Sequence, residues 1–390
     1  MALGIVGIIT LHDVANYGSC LQAYATQQVF KKLGWGSVII DYHRPNNRPE
    51  AHIRSFFKRR GFSENSVLFK TVSSQPASFV FRRYYLRRGR VFEQFRKQYL
   101  SLTSPYYSEE ELEQNPPIAD IYCTGSDQVW NSVWNEGFEK PLFLEWVPAS
   151  VPRIAFSASI GREVLDEWEK PLMQSALKKY SAISMREISG VKLLSELGLG
   201  DVSLVLDPTL MLVENEWSRV ATFQRNLPEK YILSYQLNPN DLFVKYTQRL
   251  SEALGVAVVK ICYRKRDRQH GAINLLMPKV TDFLGLFLNA SCVVTDSFHA
   301  TAFSLNFEKP FISIAPSRFS TRIKSILDLT NTKDRLLSDY SDIELMNRSI
   351  DFVDVRNQLS DARNKTMAFL KSSLSACFAE DGTVLESTRG

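Results

Sequence analysis

Residues Ser291 to Phe311 read SCVVTDSFHATAFSLNFEKPF, and this stretch decides the fold. The short apolar run that ends at Val294 is typical of a strand covered on both faces, and a helical pattern follows. The loop between them carries Asp296, Ser297 and His299. Because free amides at a helix start favour anions, and histidine can transfer a proton near neutral pH, we predict an active-site edge here. The alternative is a helix N-cap with a packed histidine.

The length and composition indicate a chain of two domains. It has 390 residues, 44% of them hydrophobic, which is more than one ordinary core accommodates. Five widely spaced cysteines form no metal-ligand pattern, so we expect buried thiols in a reducing compartment and no metal. The N-terminus lacks the features of a secretion signal, and no apolar run is long enough to span a membrane, so we expect a cytoplasmic protein.

Positive charge is concentrated in one segment, Arg44 to Lys97. It holds fourteen lysines and arginines against three acidic residues, and aromatic residues alternate with them. Such a segment suits an anionic membrane surface or a polyphosphate carrier, with nucleic acid as another candidate partner. The simpler alternative is a solvated helical face with an aromatic inner side.

The first half reads as alternating strands and helices. An apolar strand at Gly4–Thr10, a polar loop, a helix before Gly34 and a strand at Ser37–Tyr42 form one βαβ unit. This unit requires a parallel sheet and places its first loop at the carboxyl edge, where such sheets bind ligands. There Gly18 would let the backbone approach a ligand, and Asn16 could cap the helix or bond sugar hydroxyls.

The same alternation resumes at residue 119 and starts afresh at residue 231 after a linker-like stretch. We therefore predict an α/β fold of two Rossmann-like domains. The first spans 1–226, with a basic aromatic helical insertion at 44–115, and the second spans 227–353. Residues 354–390 are predicted to form a helix that crosses back onto the first half, followed by a tail.

Five motifs at successive strand ends resemble those of the polysaccharide pyruvyl transferase family. They are Asn16-Tyr17-Gly18, Thr124 to Asn131 (TGSDQVWN), Ser184 to Glu187 (SMRE), Leu206 to Thr209 (LDPT) and Thr295 to His299 (TDSFH). Each motif is weak alone, but five in this order are a specific signal. The resemblance spans roughly Gly4 to Arg322 and implies a GT-B-like fold, in which two domains face a cleft.

The resemblance also implies a reaction. It is the transfer of a pyruvyl group from phosphoenolpyruvate to a sugar of a cell-surface polysaccharide or its lipid-linked precursor, forming a ketal across two hydroxyls. The first domain would hold the acceptor and the second the donor. No cofactor other than this donor substrate is implied.

The donor carries a phosphate and a carboxylate, so its pocket needs a guanidinium. Arg186 directly follows a buried strand and is the first candidate, with surface pairing to Glu187 as the alternative. Many relatives carry an arginine where this chain has Ser297. We expect Arg318 or Arg322 to supply that charge in its place.

Ketal formation needs a proton donor and a base. His299 is the candidate acid or phosphate stabiliser, and Asp127 or Asp296 could deprotonate or orient a hydroxyl. The candidate acceptor-binding residues lie in the two motifs of the first domain: Asn16, Tyr17, Gly18, Ser126 and Trp130. For Trp130 a ring platform for a sugar competes with ordinary packing.

Two other functions fit the same motifs. A GT-B glycosyltransferase that uses a nucleotide sugar would also need a glycine-containing loop and the His299 loop. A non-enzymatic glycan-binding or nucleic-acid-binding protein would act through the basic segment. We favour the transferase, with peripheral contact to the inner face of the membrane through residues 44–97 and no nucleic-acid partner.

Overall fold

Two six-stranded parallel sheets organise the protein, which confirms the predicted α/β class. The structure is a computed structural model and describes residues 2–48, 89–316 and 320–379. Most of the basic aromatic segment, and Arg318, therefore lie outside the described residues. No helix in the described ranges is long and apolar enough to cross a membrane.

The first sheet contains β1 to β6 in the order β2-β1-β3-β4-β5-β6. Its strands are β1 (Ile5–Ile9), β2 (Gly36–Ile39), β3 (Ile121–Thr124), β4 (Arg153–Ala158), β5 (Ala182–Met185) and β6 (Val202–Leu204). The accompanying helices are α1 (Tyr17–Lys32), α2 (89–99), α3 (Glu109–Gln114), α4 (Ser132–Asn135), α5 (Lys170–Leu177) and α6 (Ile188–Glu196). Two short helices, α7 (Pro208–Met211) and α8 (Glu214–Ser218), lead to the second sheet.

The second sheet contains β7 to β12 in the order β12-β11-β10-β7-β8-β9. Its strands are β7 (Tyr231–Tyr235), β8 (Ala257–Cys262), β9 (Ile273–Leu276), β10 (Cys292–Thr295), β11 (Phe311–Ile314) and β12 (Leu336–Leu337). The helices are α9 (Asp241–Leu254), α10 (Val280–Asn289), α11 (Phe298–Asn306), α12 (Thr321–Leu329) and α13 (Phe352–Ala379).

The strand orders locate the ligand-binding edges. In the first sheet β1 lies between β2 and β3, and in the second β7 lies between β8 and β10. At such points the connections leave in opposite directions and open a crevice at the carboxyl ends of the strands. The loops that follow β1, β3, β7 and β10 are therefore the expected ligand-binding loops, and they carry three of the five sequence motifs.

Helix α13 contacts both halves. The Nε of Arg363 donates to the carbonyl of Leu210 at 2.7 Å, and its Nη2 donates to Oδ1 of Asn306 at 2.9 Å. Near the end of the helix, the ring of Phe378 stacks on Trp35 with the centroids 5.5 Å apart. Helix α13 thus packs on the first half at Trp35 and bonds to α11 of the second half through Asn306.

A tyrosine also joins the two halves at the crevice. Tyr17 begins α1, and its hydroxyl donates to the carbonyl of Pro278 at 2.8 Å. Its ring stacks on Phe283 of α10 with the centroids 4.6 Å apart. Because Tyr17 is fully buried, both contacts replace contacts with water, and they help to fix the position of one half relative to the other.

We predict that Tyr17→Phe lowers the free energy of unfolding by about 1 kcal/mol, because the carbonyl of Pro278 loses its buried donor while the ring stays in place. Urea unfolding of the purified variant measures this loss. Tyr99→Phe is the matched control, since the Tyr99 hydroxyl forms no hydrogen bond with a described residue and is only half-buried. Equal losses in both variants would contradict the assignment.

Candidate active site

Arg186 is held in a buried ionic clamp directly after β5. Its side chain is 0% exposed; Nη1 donates to Oδ2 of Asp207 at 2.7 Å and Nη2 donates to Oδ1 of Asp127 at 2.8 Å. Burial alone would raise the pKa of each carboxyl, but the guanidinium overcomes this effect and lowers the pKa of both. Arg186 and the two carboxylates are therefore all charged.

Hydroxyl groups from neighbouring loops complete the clamp. Ser19 in α1 donates to Oδ2 of Asp127 at 2.8 Å, and Ser126 donates to Oδ2 of Asp207 at 2.9 Å. Oδ1 of Asp207 accepts from both the amide and the hydroxyl of Thr209. The network ties together the loops after β3, β5 and β6 and the first turn of α1. The predicted acceptor residue Ser126 thus positions Asp207.

His299 reaches this network from the opposite half. It lies in the first turn of α11 and is 7% exposed. A Cβ atom at Gly18 would lie 2.1 Å from its Nδ1, so α1 can meet the imidazole only because residue 18 has no side chain. The structure therefore gives the predicted glycine a direct role in positioning the histidine.

The electrostatic setting of His299 favours the neutral imidazole. Burial lowers its pKa, while Asp207 and Asp127 raise it less strongly. Its Nε2 is buried and has no hydrogen-bond partner in the described part of the chain. A buried nitrogen of this kind is suited to bind or protonate a ligand group.

Arg322 supplies a second guanidinium beside the first. It follows the start of α12, and its Cζ lies 5.9 Å from the ring centroid of Phe298, which Arg186 also contacts at 4.8 Å. Burial and the nearby Arg186 lower the pKa of Arg322 to about 10. The half-buried side chain forms no ion pair or hydrogen bond with a described residue, which distinguishes it from the clamped Arg186.

Asp296 and Ser297 both stabilise local backbone. The Asp296 carboxylate accepts from the amides of Leu237 at 2.7 Å and Asn238 at 2.8 Å, so it occupies the backbone donors that follow β7. Burial raises its pKa, although these bonds lower it in part. Ser297 caps α11 by accepting from the amide of Ala300 at 3.4 Å.

The remaining candidates of the acceptor side have structural contacts. Asn16 caps α1 through bonds to the amides of residues 18 and 19, and Tyr17 packs between the halves. Trp130 is 1% exposed, donates from Nε1 to the carbonyl of Leu142 at 3.2 Å and stacks on Phe143. Trp130 is therefore a packing residue and not a ring platform for a sugar.

Two carboxylates beside Arg186 are not among the predicted site residues. Asp207 lies in the motif Leu206 to Thr209, and the position of this motif after a strand was the available signal. Glu187 lies next to Arg186: Oε1 accepts from the hydroxyl of Ser159 and from the amides of residues 160 and 161, and Oε2 lies 3.8 Å from Nε of Arg186. An acidic residue beside a candidate arginine was the available signal. Within the described ranges, no group of three or more His, Cys, Asp or Glu residues could hold a metal ion.

We predict that Gly18→Ala displaces the imidazole of His299, because the added methyl group overlaps the ring. The free energy of unfolding should fall by about 1 to 3 kcal/mol, measured by urea denaturation. Gly200→Ala is the control, since a Cβ atom there meets no neighbour within 4 Å. A Gly18→Ala variant as stable as the control would contradict the contact.

We also predict a pH effect on stability. The folded-state pKa of His299 is below its usual 6.5, so the unfolded chain takes up a proton first as the pH falls. The His299 contribution is thus fully present above about pH 6.5 and is lost as the pH falls towards the folded-state pKa. His299→Gln should remove this part of the slope when unfolding free energies are compared between about pH 8 and about pH 5. Identical slopes in the two proteins would contradict a buried neutral imidazole.

The comparisons with known proteins agree with this architecture. The structure is similar to UDP-N-acetylglucosamine 2-epimerase from Rickettsia bellii, with a TM-score of 0.52, 13% identity and coverage of 95% of this chain and 97% of that one. It is also similar to a protein from Listeria monocytogenes assigned to the same epimerases, with a TM-score of 0.50, 11% identity and coverage of 96% and 98%. At such identities the likeness shows the fold alone, and it confirms the GT-B-like arrangement.

The sequence comparisons identify the family. No curated protein sequence is significantly similar to this chain. The family model described as polysaccharide pyruvyl transferase matches residues 16–318, a range that includes Arg186, His299 and the five motifs. The chain belongs to the polysaccharide pyruvyl transferase family.

Proposed function

We propose that this protein transfers a pyruvyl group from phosphoenolpyruvate to a sugar of a cell-surface polysaccharide or its lipid-linked precursor, forming a cyclic ketal. The observation that carries the proposal is that Arg322 and His299 lie beside the clamped Arg186, and that Nε2 of His299 has no hydrogen-bond partner among the described residues. Two guanidiniums and an imidazole, supplied by both halves, suit a small substrate with two anionic groups.

Arg322 is the proposed main contact of the donor. A guanidinium offers planar pairs of donors that match a carboxylate or phosphate, and this one has no competing carboxylate within ion-pair distance among the described residues. Arg186 has committed two nitrogens to Asp127 and Asp207, while its buried Nε has no hydrogen-bond partner there. The charge of Arg186 is therefore balanced by the two carboxylates, and its Nε, 3.8 Å from Oε2 of Glu187, is a nitrogen that can still donate to a ligand.

The proposed reaction begins with protonation of the donor methylene carbon, which becomes a methyl group and leaves a cationic carbon at C2. One sugar hydroxyl attacks C2 and loses its proton, the C2–O bond to phosphate breaks, and the second hydroxyl closes the ring with loss of its proton. Of the two hydroxyl protons, one balances the proton added to the methylene and the other leaves on phosphate. The residues must therefore move protons and stabilise the departing phosphate.

His299 is the proposed proton-transfer group. His299 is neutral in the free protein. A bound dianion raises the pKa of a neighbouring imidazole, so donor binding would favour protonation of His299. Asp127 already pairs with Arg186 and Ser19, so we assign it the positioning of Arg186. Asp296 is likewise committed to backbone amides, and we assign it the support of the loop after β7.

A specific contact favours phosphoenolpyruvate over a nucleotide sugar. Backbone amides and a helix start at the crevice of the second sheet could bind a diphosphate. Here the carboxylate of Asp296 occupies the amides of Leu237 and Asn238, and Asn240 caps α9 by accepting from the amides of residues 242 and 243. These donors are thus satisfied by the protein itself.

We predict that phosphoenolpyruvate raises the melting temperature of the protein and that Arg322→Gln weakens donor binding about tenfold or more, since a charged hydrogen bond is lost. Calorimetric titration with phosphoenolpyruvate measures the change, and phosphate release with galactosides, mannosides and N-acetylhexosamines as acceptors tests turnover. Arg266→Gln is the control, because its side chain is 73% exposed and remote in sequence from the site.

His299→Gln should abolish phosphate release, whereas His270→Gln, at an exposed position of the second half, should not change it. Stabilisation by a nucleotide sugar together with none by phosphoenolpyruvate would overturn the proposed function in favour of a glycosyltransferase.

A further inference from the structure

A second cluster of polar side chains lies at the carboxyl edge of the first sheet and takes no part in the proposed reaction. It is built by the loop after β1 and the segment after β2. Asp41 is its centre: Oδ1 lies 2.9 Å from Nε2 of His12 and 3.2 Å from Nε2 of His43. Burial raises the pKa of Asp41, but the bonds and charges of the two histidines together outweigh burial and lower it.

His43 is partly exposed, and only one of its ring nitrogens is engaged by a described residue. Its Nε2 is engaged by Asp41, its ring stacks on the exposed Tyr107 with the centroids 5.2 Å apart, and its side chain is 31% exposed. The bond to Asp41 raises the pKa of His43. Nδ1 of His43 and Oδ2 of Asp41 have no hydrogen-bond partner among the residues of 2–48 and 89–316. This orientation, with a carboxylate fixing one nitrogen of a histidine, is common in binding and catalytic sites.

Buried atoms beside the histidine pair also lack partners. Oδ1 of Asp13 and Nε of Arg44 have none within the described ranges, although these residues are only 9% and 3% exposed. The two side chains lie 3.7 Å apart at their nearest nitrogen and oxygen, which is too far for a hydrogen bond. Asn47 satisfies the other oxygen of Asp13 at 2.8 Å. Oδ1 of Asp13, in a long ion pair with Nη2 of Arg44, and Nε of Arg44 can thus each still form a hydrogen bond with a ligand.

The acidic and basic side chains of this cluster indicate which class of ligand it can bind. An anion would be repelled by Asp13 and Asp41, and a cation by Arg44 and by Arg96, whose Nη1 donates to the carbonyl of His12 at 3.3 Å. A sugar ring avoids both repulsions, because each of its hydroxyls can donate to a carboxylate and accept from a guanidinium or imidazole. The ring of Tyr107, 46% accessible, stacks on His43 and its centroid lies 5.6 Å from Cζ of Arg48, which adds a further cation beside the cluster.

We propose that Asp13, Asp41, His43 and Arg44 form a subsite for a second sugar of the acceptor. This inference rests on the proposed function, and it makes the acceptor an oligosaccharide and not a single sugar. The connection to the reacting site is short: the hydroxyl of Thr10, two residues before His12, donates to the carbonyl of Ser126 in the loop that also carries Asp127. Both clusters therefore lie along one edge of the same sheet.

The test compares single sugars with disaccharides, first without the donor. Lactose, cellobiose, chitobiose and mannobiose are titrated into the wild-type protein and into His43→Gln, beside the methyl glycosides of their sugars, with binding followed by saturation-transfer NMR. His43→Gln should weaken binding of the accepted disaccharide about tenfold, the effect of one lost charged hydrogen bond, and leave the methyl glycosides unchanged. His270→Gln is the control at an exposed position and should bind every sugar as the wild type does.

Turnover provides a second readout. With phosphoenolpyruvate present, His43→Gln should raise KM for the disaccharide about tenfold with little change in kcat, because the subsite binds ground state and transition state alike. Asp41→Asn, which still accepts from His43, should show a smaller rise.

Three results would overturn the subsite: no binding of any disaccharide by the wild type, an equal loss for single sugars and disaccharides, or no loss in His43→Gln. Disaccharide binding that depends on His43 in a protein that never consumes phosphoenolpyruvate would support the subsite and refute the proposed reaction.

Discussion

The arrangement of this protein depends on one buried ionic interaction, the clamp of Arg186 between Asp127 and Asp207. All three side chains are withdrawn from water, so each charge is tolerated only while its partners stay in place. Removing one partner of such a group typically costs about 3 to 5 kcal/mol. Because the three residues follow different strands, the clamp fixes the edge of the first sheet before any substrate binds, which is the preorganisation that electrostatic catalysis requires.

The second half of the molecule packs on this edge at a point where residue 18 has no side chain. Gly18 leaves room for the imidazole of His299, and the ring of Phe298 lies beside both guanidiniums. The contacts are tight, so the distance between the clamp and His299 is set by packing and not by a flexible loop. Packing therefore keeps Arg186 and Arg322 close to the neutral His299, although the three side chains form no hydrogen bonds with one another.

The sequence predicted the two-sheet fold and the motifs at the strand ends, because apolar strands and polar loops alternate with a regular period. It could not predict which side chains form hydrogen bonds and ion pairs with each other, because those contacts join distant segments of the chain. Asp296 bonds amides 58 and 59 residues away, and Asp207 pairs with an arginine 21 residues away. The pairing of His12 and His43 on Asp41 is likewise invisible in a linear pattern, and for Trp130 the sequence left a sugar platform open beside the commoner packing role.

The most direct test of the central claim is a crystal structure of the protein with phosphoenolpyruvate bound. We expect donor oxygens at about 3 Å from Nε2 of His299 and from the guanidinium of Arg322, with Arg186 still paired to Asp127 and Asp207. A donor bound elsewhere, with Arg322 and His299 turned away from it, would show that these two residues do not bind the donor.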